Sequence, residues 1–222
     1  MRVLIIEDEK RLAGNVARSL RESAGYAVDC AYDGQEGLFM ARSNPYDLVI
    51  LDLMLPHLDG LSVLTRMRHT GNAFPVLVLT ARDERESVVE LLNAGADDYV
   101  TKPFDLGELI ARAKALIRRG KGHSAGILKV RDVEIDVSAR RVVRNGKAVA
   151  LTAMEYRVLE YLAHRQNAIV SKTELSEHLY DFNWERFSNV IEVYVSGLRR
   201  KLEDRNGELI QTLRGQGYVL CS

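Results

Sequence analysis

The chain has 222 residues, 46% hydrophobic and 28% charged, enough for a sizeable core and unlike a disordered segment. No run of about 18 uncharged apolar residues occurs, and acid follows the start at Glu7-Asp8, so neither a membrane span nor a signal peptide is expected; two cysteines, Cys30 and Cys221, exclude a disulfide scaffold or structural zinc centre. Basic and acidic residues cancel at 31 each, but residues 1–120 hold 15 Lys+Arg against 18 Asp+Glu, and residues 121–222 hold 16 against 13. An acidic half joined to a basic half suggests two tasks, the second on nucleic acid. The expectation is a soluble cytoplasmic protein with no membrane insertion.

Short apolar runs at 3–6, 27–30, 48–51, 76–79 and 99–101 read as strands. Between them, 11–23, 35–42, 61–69, 84–94 and 106–118 carry helical spacing; Leu109, Ala113, Leu116 and Ile117 share one face. Five such strand–helix units predict a parallel sheet with helices on both sides. Arg118-Arg119-Gly120-Lys121-Gly122-His123-Ser124-Ala125-Gly126 is Gly-rich and hydrophilic, so 120–126 is the expected linker between a domain at 1–119 and another at 127–222. Strands follow at 133–137 and 141–144, a hairpin turn at Asn145-Gly146, and a strand at 148–151. Helical patterns at 152–165, 171–179 and 188–202 precede a terminal hairpin of 209–213 and 218–221. The last helical pattern places Ile191, Tyr194 or Val195, Leu198 and Leu202 on one face.

Function in open parallel sheets lies outside the carboxyl ends of the strands. Polar residues gather there: Glu7-Asp8 after the first strand, Asp52 after the third, Thr80-Ala81 after the fourth and Lys102-Pro103 after the fifth. Singly, each reads as a cap, a turn residue or an ordinary surface lysine. Together, three carboxylates a few Å apart repel by about 4 kcal/mol per pair at an effective dielectric of about 20. Such crowding calls for a cation or a raised pKa. All-oxygen ligands suit a hard ion, Mg²⁺ before Ca²⁺ or Mn²⁺. A hydroxyl and an ammonium at the same rim complete a site for a phosphoryl group, with a carboxylate able to act as nucleophile.

Ile6-Glu7-Asp8-Glu9, Leu51-Asp52-Leu53-Met54-Leu55-Pro56 with Asp59-Gly60, Leu79-Thr80-Ala81-Arg82 and Gly95-Ala96-Asp97-Asp98-Tyr99-Val100-Thr101-Lys102-Pro103-Phe104 resemble a bacterial response-regulator receiver domain. The resemblance implies a flavodoxin-like (βα)5 fold with Asp52 as acceptor of phosphate from a sensor histidine kinase. It also implies Mg²⁺ held by Asp8, Asp52, the Met54 carbonyl and Glu7, with Thr80 and Lys102 on the phosphoryl group, Tyr99 as a switch, and a cis Lys102–Pro103 bond.

Asn145-Gly146-Lys147, Leu151-Thr152-Ala153-Met154-Glu155-Tyr156, Val190-Ile191-Glu192-Val193-Tyr194-Val195, Leu198-Arg199-Arg200-Lys201-Leu202 and Thr212-Leu213-Arg214-Gly215-Gln216-Gly217-Tyr218 are similar to the OmpR/PhoB winged helix. This resemblance implies an α+β domain with a four-stranded N-terminal sheet, three helices and a C-terminal hairpin as wing. Its partner would be double-stranded promoter DNA, met by Asn189, Ser196, Arg199, Arg200, Thr212 and Arg214, with the loop around 180–187, including Trp184, facing RNA polymerase.

Two departures stand out. Gly197 occupies a position where many relatives carry a base-reading Arg, so operator sequence does not transfer. Family homodimers, formed on phosphorylation, use a charge network; Asp98 with Arg112, Asp97 with Arg119, and Glu108 match it, but Val88 replaces a basic partner for Glu108. The function these features imply is a phosphorylation-dependent transcription factor rather than an enzyme. An Mg²⁺-dependent aspartyl phosphotransferase or phosphatase is the alternative, and Met54 stands where its haloacid-dehalogenase type needs a second Asp. A flavodoxin-like nucleotide module lacks a Gly-rich loop, since Glu7-Asp8-Glu9-Lys10 follows the first strand.

Overall fold

The computed structural model describes residues 1–71, 73–81, 85–122, 126–180 and 190–222, with the backbone alone of 85–88. It divides into two compact units, Met1–Gly122 and His123–Ser222. Among the described residues, no helix is long and apolar enough to cross a membrane.

The first unit runs β1 (Arg2–Ile6), α1 (Lys10–Ala24), β2 (Ala27–Ala31), α2 (Gly34–Ser43), β3 (Leu48–Asp52), α3 (Gly60–His69), β4 (Val76–Thr80), α4 (Arg85–Asn93), β5 (Asp98–Thr101) and α5 (Leu106–Gly120). All strand pairings are parallel, in the order β2-β1-β3-β4-β5. Alternate residues of each strand point to opposite faces. Leu4, Ile6, Val49, Leu51, Val76 and Val78 pack in one core with Val63, Leu64 and Met67 of α3 and Leu91 of α4. Val3, Ile5, Ile50 and Leu77 are equally buried on the face that α1 and α5 approach. The strands are apolar on both faces because helices cover both.

The order reverses between β1 and β3, which opens a crevice at their carboxyl ends. The chain leaving β3 is pressed against that crevice. Asp59 caps α3 by accepting from the Ser62 N–H at 2.9 Å, and Gly60 donates to the Leu53 carbonyl at 3.0 Å. A Cβ on Gly60 would lie 2.1 Å from the Asp52 carbonyl oxygen and 2.7 Å from Leu53 Cα. The opposite end of the sheet is closed by buried ion pairs. Arg2 Nε donates to Asp29 at 2.7 Å, the Tyr46 hydroxyl to the same carboxylate at 3.0 Å, and the Arg2 N–H to Asp47 at 2.7 Å. Lys121, following α5, pairs with Asp47. The helix thus runs two residues past its predicted end, and Gly120–Gly122 pack with the first unit rather than serving as free linker.

The second unit carries β6 (Ile127–Val130), β7 (Val133–Asp136), β8 (Arg141–Arg144), β9 (Lys147–Ala148), α6 (Ala153–Ala163), α7 (Lys172–Leu179), α8 (Val190–Lys201), β10 (Ile210–Leu213) and β11 (Gly217–Leu220). β6 to β9 form an antiparallel sheet, and β10–β11 a hairpin that a bridge from Tyr218 to Val170 ties to the turn before α7. The Asn145-Gly146 turn has φ 49° and 76°, both positive as a primed hairpin turn requires. β6 escaped the residue pattern, which opened at 133; only the family resemblance supplied a fourth strand. β9 is shorter than the predicted 148–151 because Thr152 turns out of the ladder to cap α6. Its hydroxyl accepts from the Glu155 N–H while Glu155 accepts from the Thr152 N–H, a closed capping box.

Gly60→Ala is expected to cost about 1–3 kcal/mol through overpacking against the Asp52 backbone. Urea unfolding of the full chain measures it; an unchanged midpoint would contradict the close approach.

Candidate functional site

Glu7 and Asp8 follow β1, and Asp52 ends β3 in the adjacent register, where Ile6 faces Leu51. One oxygen from each of the three lies within 4.8 Å of the others. Glu7 and Asp52 are 1% and 2% exposed, while Asp8 opens to solvent. Lys102 arrives from the end of β5, where its N–H donates to the Thr80 carbonyl at 2.7 Å and its bond to Pro103 is cis. Its Nζ donates to Glu7 Oε2 at 2.7 Å and to Asp52 Oδ2 at 2.9 Å. The other Asp52 oxygen, Oδ1, is buried and accepts no hydrogen bond among the described residues.

Three carboxylates against one ammonium leave the cluster short of positive charge. Burial, with the Asp52 charge, holds the Glu7 carboxyl above its usual range despite the Lys102 hydrogen bond. Desolvation works to lower Lys102, but hydrogen bonds and attraction from Glu7 and Asp52 outweigh it and hold the amine up. An all-oxygen donor set with an orphaned carboxylate oxygen and one solvent-facing ligand suits a hard divalent cation that keeps some of its water. Met54 lies in the loop after β3, its side chain 68% exposed.

Thr80 ends β4 and is fully buried, while Tyr99, opposite Val78 on β5, is half-buried against the apolar core. A cavity of about 290 Å³, walled by Leu53, Leu61 and Leu91 and reached by Met54, borders Thr80. On the β5–α5 side, Arg112 binds Asp98 at 3.1 Å and Glu108 at 2.8 Å within the chain. Asp97 is taken by Arg68 at 2.8 Å and by the Val76 N–H, whereas exposed Arg119 turns back to the Ala115 carbonyl. The Val88 side chain lies outside the described residues.

The second unit holds a cleft of about 650 Å³ between the start of α7, the inner side of α8 and the β10–β11 turn. Ser196, Thr212 and Arg214 are exposed along it, and Arg200 is exposed on α8. Arg199 is committed inside the unit: Nε donates to the Ile210 carbonyl at 3.0 Å and Nη2 to Thr212 Oγ1 at 2.8 Å, bracing the hairpin against α8. Ile191, Val195, Leu198 and Leu202 form the buried face of α8, so Val195 rather than Tyr194 completes it; Tyr194 instead meets the Tyr180 hydroxyl at 3.0 Å. Asn189, Trp184 and the rest of 181–189 lie outside the described residues.

Position 197 faces the tip of the Glu155 side chain. A Cβ there would lie 2.4 Å from Glu155 Oε1, so the position looks toward the start of α6. Glu155 also holds Lys201 at 2.6 Å. The residue pattern missed this contact, as it missed an ion pair between Lys172 and Glu192 across the cleft. The Thr152–Glu155 spacing of a capping box is a local signal from which Glu155 could have been singled out.

A model of the response regulator receiver domain matches residues 3–114, and one described as transcriptional regulatory protein, C terminal, matches 146–220. The chain is 42% identical over 221 residues to the transcriptional activator protein IrlR of Burkholderia pseudomallei, covering 99% of this chain and 96% of that protein. It is 43% identical over 220 residues to the two-component response regulator PhoP of Pseudomonas aeruginosa, covering 99% and 97%. The solved receiver domain of the Francisella response regulator 1452 is 40% identical and superposes with a TM-score of 0.52, over 53% of this chain and 97% of that one.

Glu7→Gln is expected to stabilise the full chain at pH 7 in metal-free buffer. A carboxyl whose folded pKa is raised opposes folding once pH exceeds its unfolded value, about 4.3. The advantage of the variant should therefore grow upward from there and vanish at lower pH. Urea midpoints across a pH series test it; a variant less stable at every pH would contradict the raised carboxyl.

Proposed function

Because the chain belongs to the OmpR/PhoB family of response regulators and is a phosphorylation-dependent DNA-binding transcription regulator, we propose that Asp52 is its phospho-acceptor and that a sensor histidine kinase is the donor. The observation that carries this reading is the state of the Asp52 carboxylate. It is buried at the switch point of the sheet, one oxygen held by Lys102 and the other without a hydrogen-bond partner among the described residues.

In the proposed transfer, Asp52 Oδ1 forms a bond to phosphorus as the bond from phosphorus to the donor's imidazole nitrogen breaks. That nitrogen leaves with the electron pair and takes up a proton. A carboxylate nucleophile has no proton to lose as the bond forms, so the attack needs no general base. Lys102 holds the acceptor in place and then faces the new phosphoryl oxygens. Glu7, Asp8, Asp52 and the Met54 carbonyl would hold Mg²⁺, which when bound offsets the negative charge gathered on the transferring group. The buried Glu7 and Asp52 side chains, fixed by the β1–β3 register, lose little freedom on binding it.

The phosphorylated site favours a second conformation only as far as it binds that state more strongly. In this reading the Thr80 hydroxyl turns to the phosphoryl group and Tyr99 moves inward beside it. The β5–α5 side, with Asp97, Asp98, Glu108, Arg112 and Arg119, then pairs with a second copy. Arg112 already balances Asp98 and Glu108 within one chain, so pairing would exchange these contacts between copies. The exposed Val89 and Leu92 of α4 supply apolar area beside them. Two second units then reach repeated half-sites in promoter DNA, with α8 in the major groove and the β10–β11 wing beside it. Ser196, Arg200, Thr212 and Arg214 are the contacts assigned to DNA, and Asn189 joins them on the family resemblance. Arg199 acts chiefly as the brace of the wing. The segment at 180–187 is assigned to RNA polymerase on the same resemblance, and the protein works in the cytoplasm as regulators of promoter DNA in bacteria must.

Full-length protein should take up label from radioactive acetyl phosphate in the presence of Mg²⁺, in a bond cleaved by hydroxylamine, and Asp52→Asn should take up none. Labelling that persists in the variant overturns the assignment of the acceptor. Separately, Mg²⁺ at a hundredfold excess over its Kd should stabilise the unphosphorylated protein by about 2.7 kcal/mol and leave Asp8→Ala nearly unmoved. Equal thermal shifts in both proteins would remove the cation from the acidic cluster.

A further inference from the structure

The cleft of the second unit has fewer uncommitted cations than its sequence suggests. Lys172, Arg199 and Arg214 all line it, yet Arg199 is spent on Ile210 and Thr212. Lys172, at the first position of α7, is paired with Glu192 from the first turn of α8. Glu192 is acidic inside a cleft that must accept phosphate. Only Oε1 receives Lys172; Oε2 is buried and without a hydrogen-bond partner among the described residues. The hydrogen bond from Lys172 holds the Glu192 carboxyl below its ordinary range, so the charge persists at neutral pH.

We propose that Glu192 is a positioning residue that restrains DNA affinity by occupying Lys172, a phosphate-binding lysine that the duplex must win from it. The proposal rests on reading this cleft as the DNA-binding surface. A phosphate reaching Lys172 must open the pair, and the carboxylate left behind stays in the cleft as a like charge to the nucleic acid. The cation released by neutralising that phosphate is then balanced by one taken up at Glu192, so Lys172 adds little to the salt dependence of binding. Arg214, with no such partner among the described residues, contributes its full share. The restraint keeps sequence-independent binding weak and leaves discrimination to the side chains that meet base edges.

The test measures binding of the full chain to a mixed-sequence duplex across a salt series. Glu192→Gln should tighten binding by up to about fivefold, the scale of one exposed ion pair, and steepen the slope of log K against log salt by about 0.9, one phosphate's worth. In a Lys172→Met background the same change should leave the slope unaltered. A purely structural Glu192, needed to start α8, would lower affinity in both backgrounds and overturn the proposal. So would a Glu192→Gln protein whose slope is unchanged but whose preferred sequence, selected from random duplexes, has shifted, since Glu192 would then be reading a base. Arg214→Ala is the control on the underlying reading: a slope shallower by about 0.9 supports the cleft as the interface, and an unchanged slope overturns that reading and the proposal with it. Matching thermal unfolding of each variant with the parent protein separates these outcomes from misfolding.

Discussion

Three carboxylates held at one end of two adjacent parallel strands are the constraint from which the first unit follows. Parallel pairing of β1 with β3 places Glu7 and Asp8 beside Asp52, and helices on both faces keep water from two of the three. The mutual repulsion is costly in such surroundings, and one lysine is too little positive charge to neutralise it. The cluster would therefore gain from a divalent cation. Its elements are closely packed: Gly60 leaves no room for a Cβ beside the Asp52 backbone, and Asp59 caps the start of α3. A carboxylate such as Asp52, without a hydrogen bond on one oxygen among the described residues, is expensive to bury, and a fold retains such a cost where function uses it.

The second unit handles charge in the opposite way. Three of its basic residues are engaged before any ligand arrives, Lys201 and Lys172 neutralised by Glu155 and Glu192 and Arg199 hydrogen-bonded to the hairpin backbone. A count of basic residues along the chain therefore overstates how many are free to meet a polyanion. On α8 and the hairpin, Arg200 and Arg214 with Ser196 and Thr212 remain outward, on two elements whose relative position the Arg199 brace sets.

Strand and helix positions were legible because each segment carries its own period: every predicted strand of the first unit lies within two residues of the observed one. Misses arose where a single contact decided the end of an element. α5 outran its predicted end because Lys121 reaches Asp47, and β9 stopped early because Thr152 was needed as a cap. Gly197 reads as the loss of a base contact; in space it also lies against the Glu155 carboxylate of α6.

Local periodicity and the chemistry-bearing residues at the predicted strand ends determined the two-unit plan, the parallel sheet and the identity of the acidic cluster, because these depend on contacts within one segment or on the rule that strand ends converge. Tertiary structure alone decided which charges are already spent. Arg2 with Asp29, Lys121 with Asp47 and Lys172 with Glu192 join residues 27, 74 and 20 apart along the chain. A residue type states what a side chain can bind; only packing in three dimensions selects the partner that reaches it first.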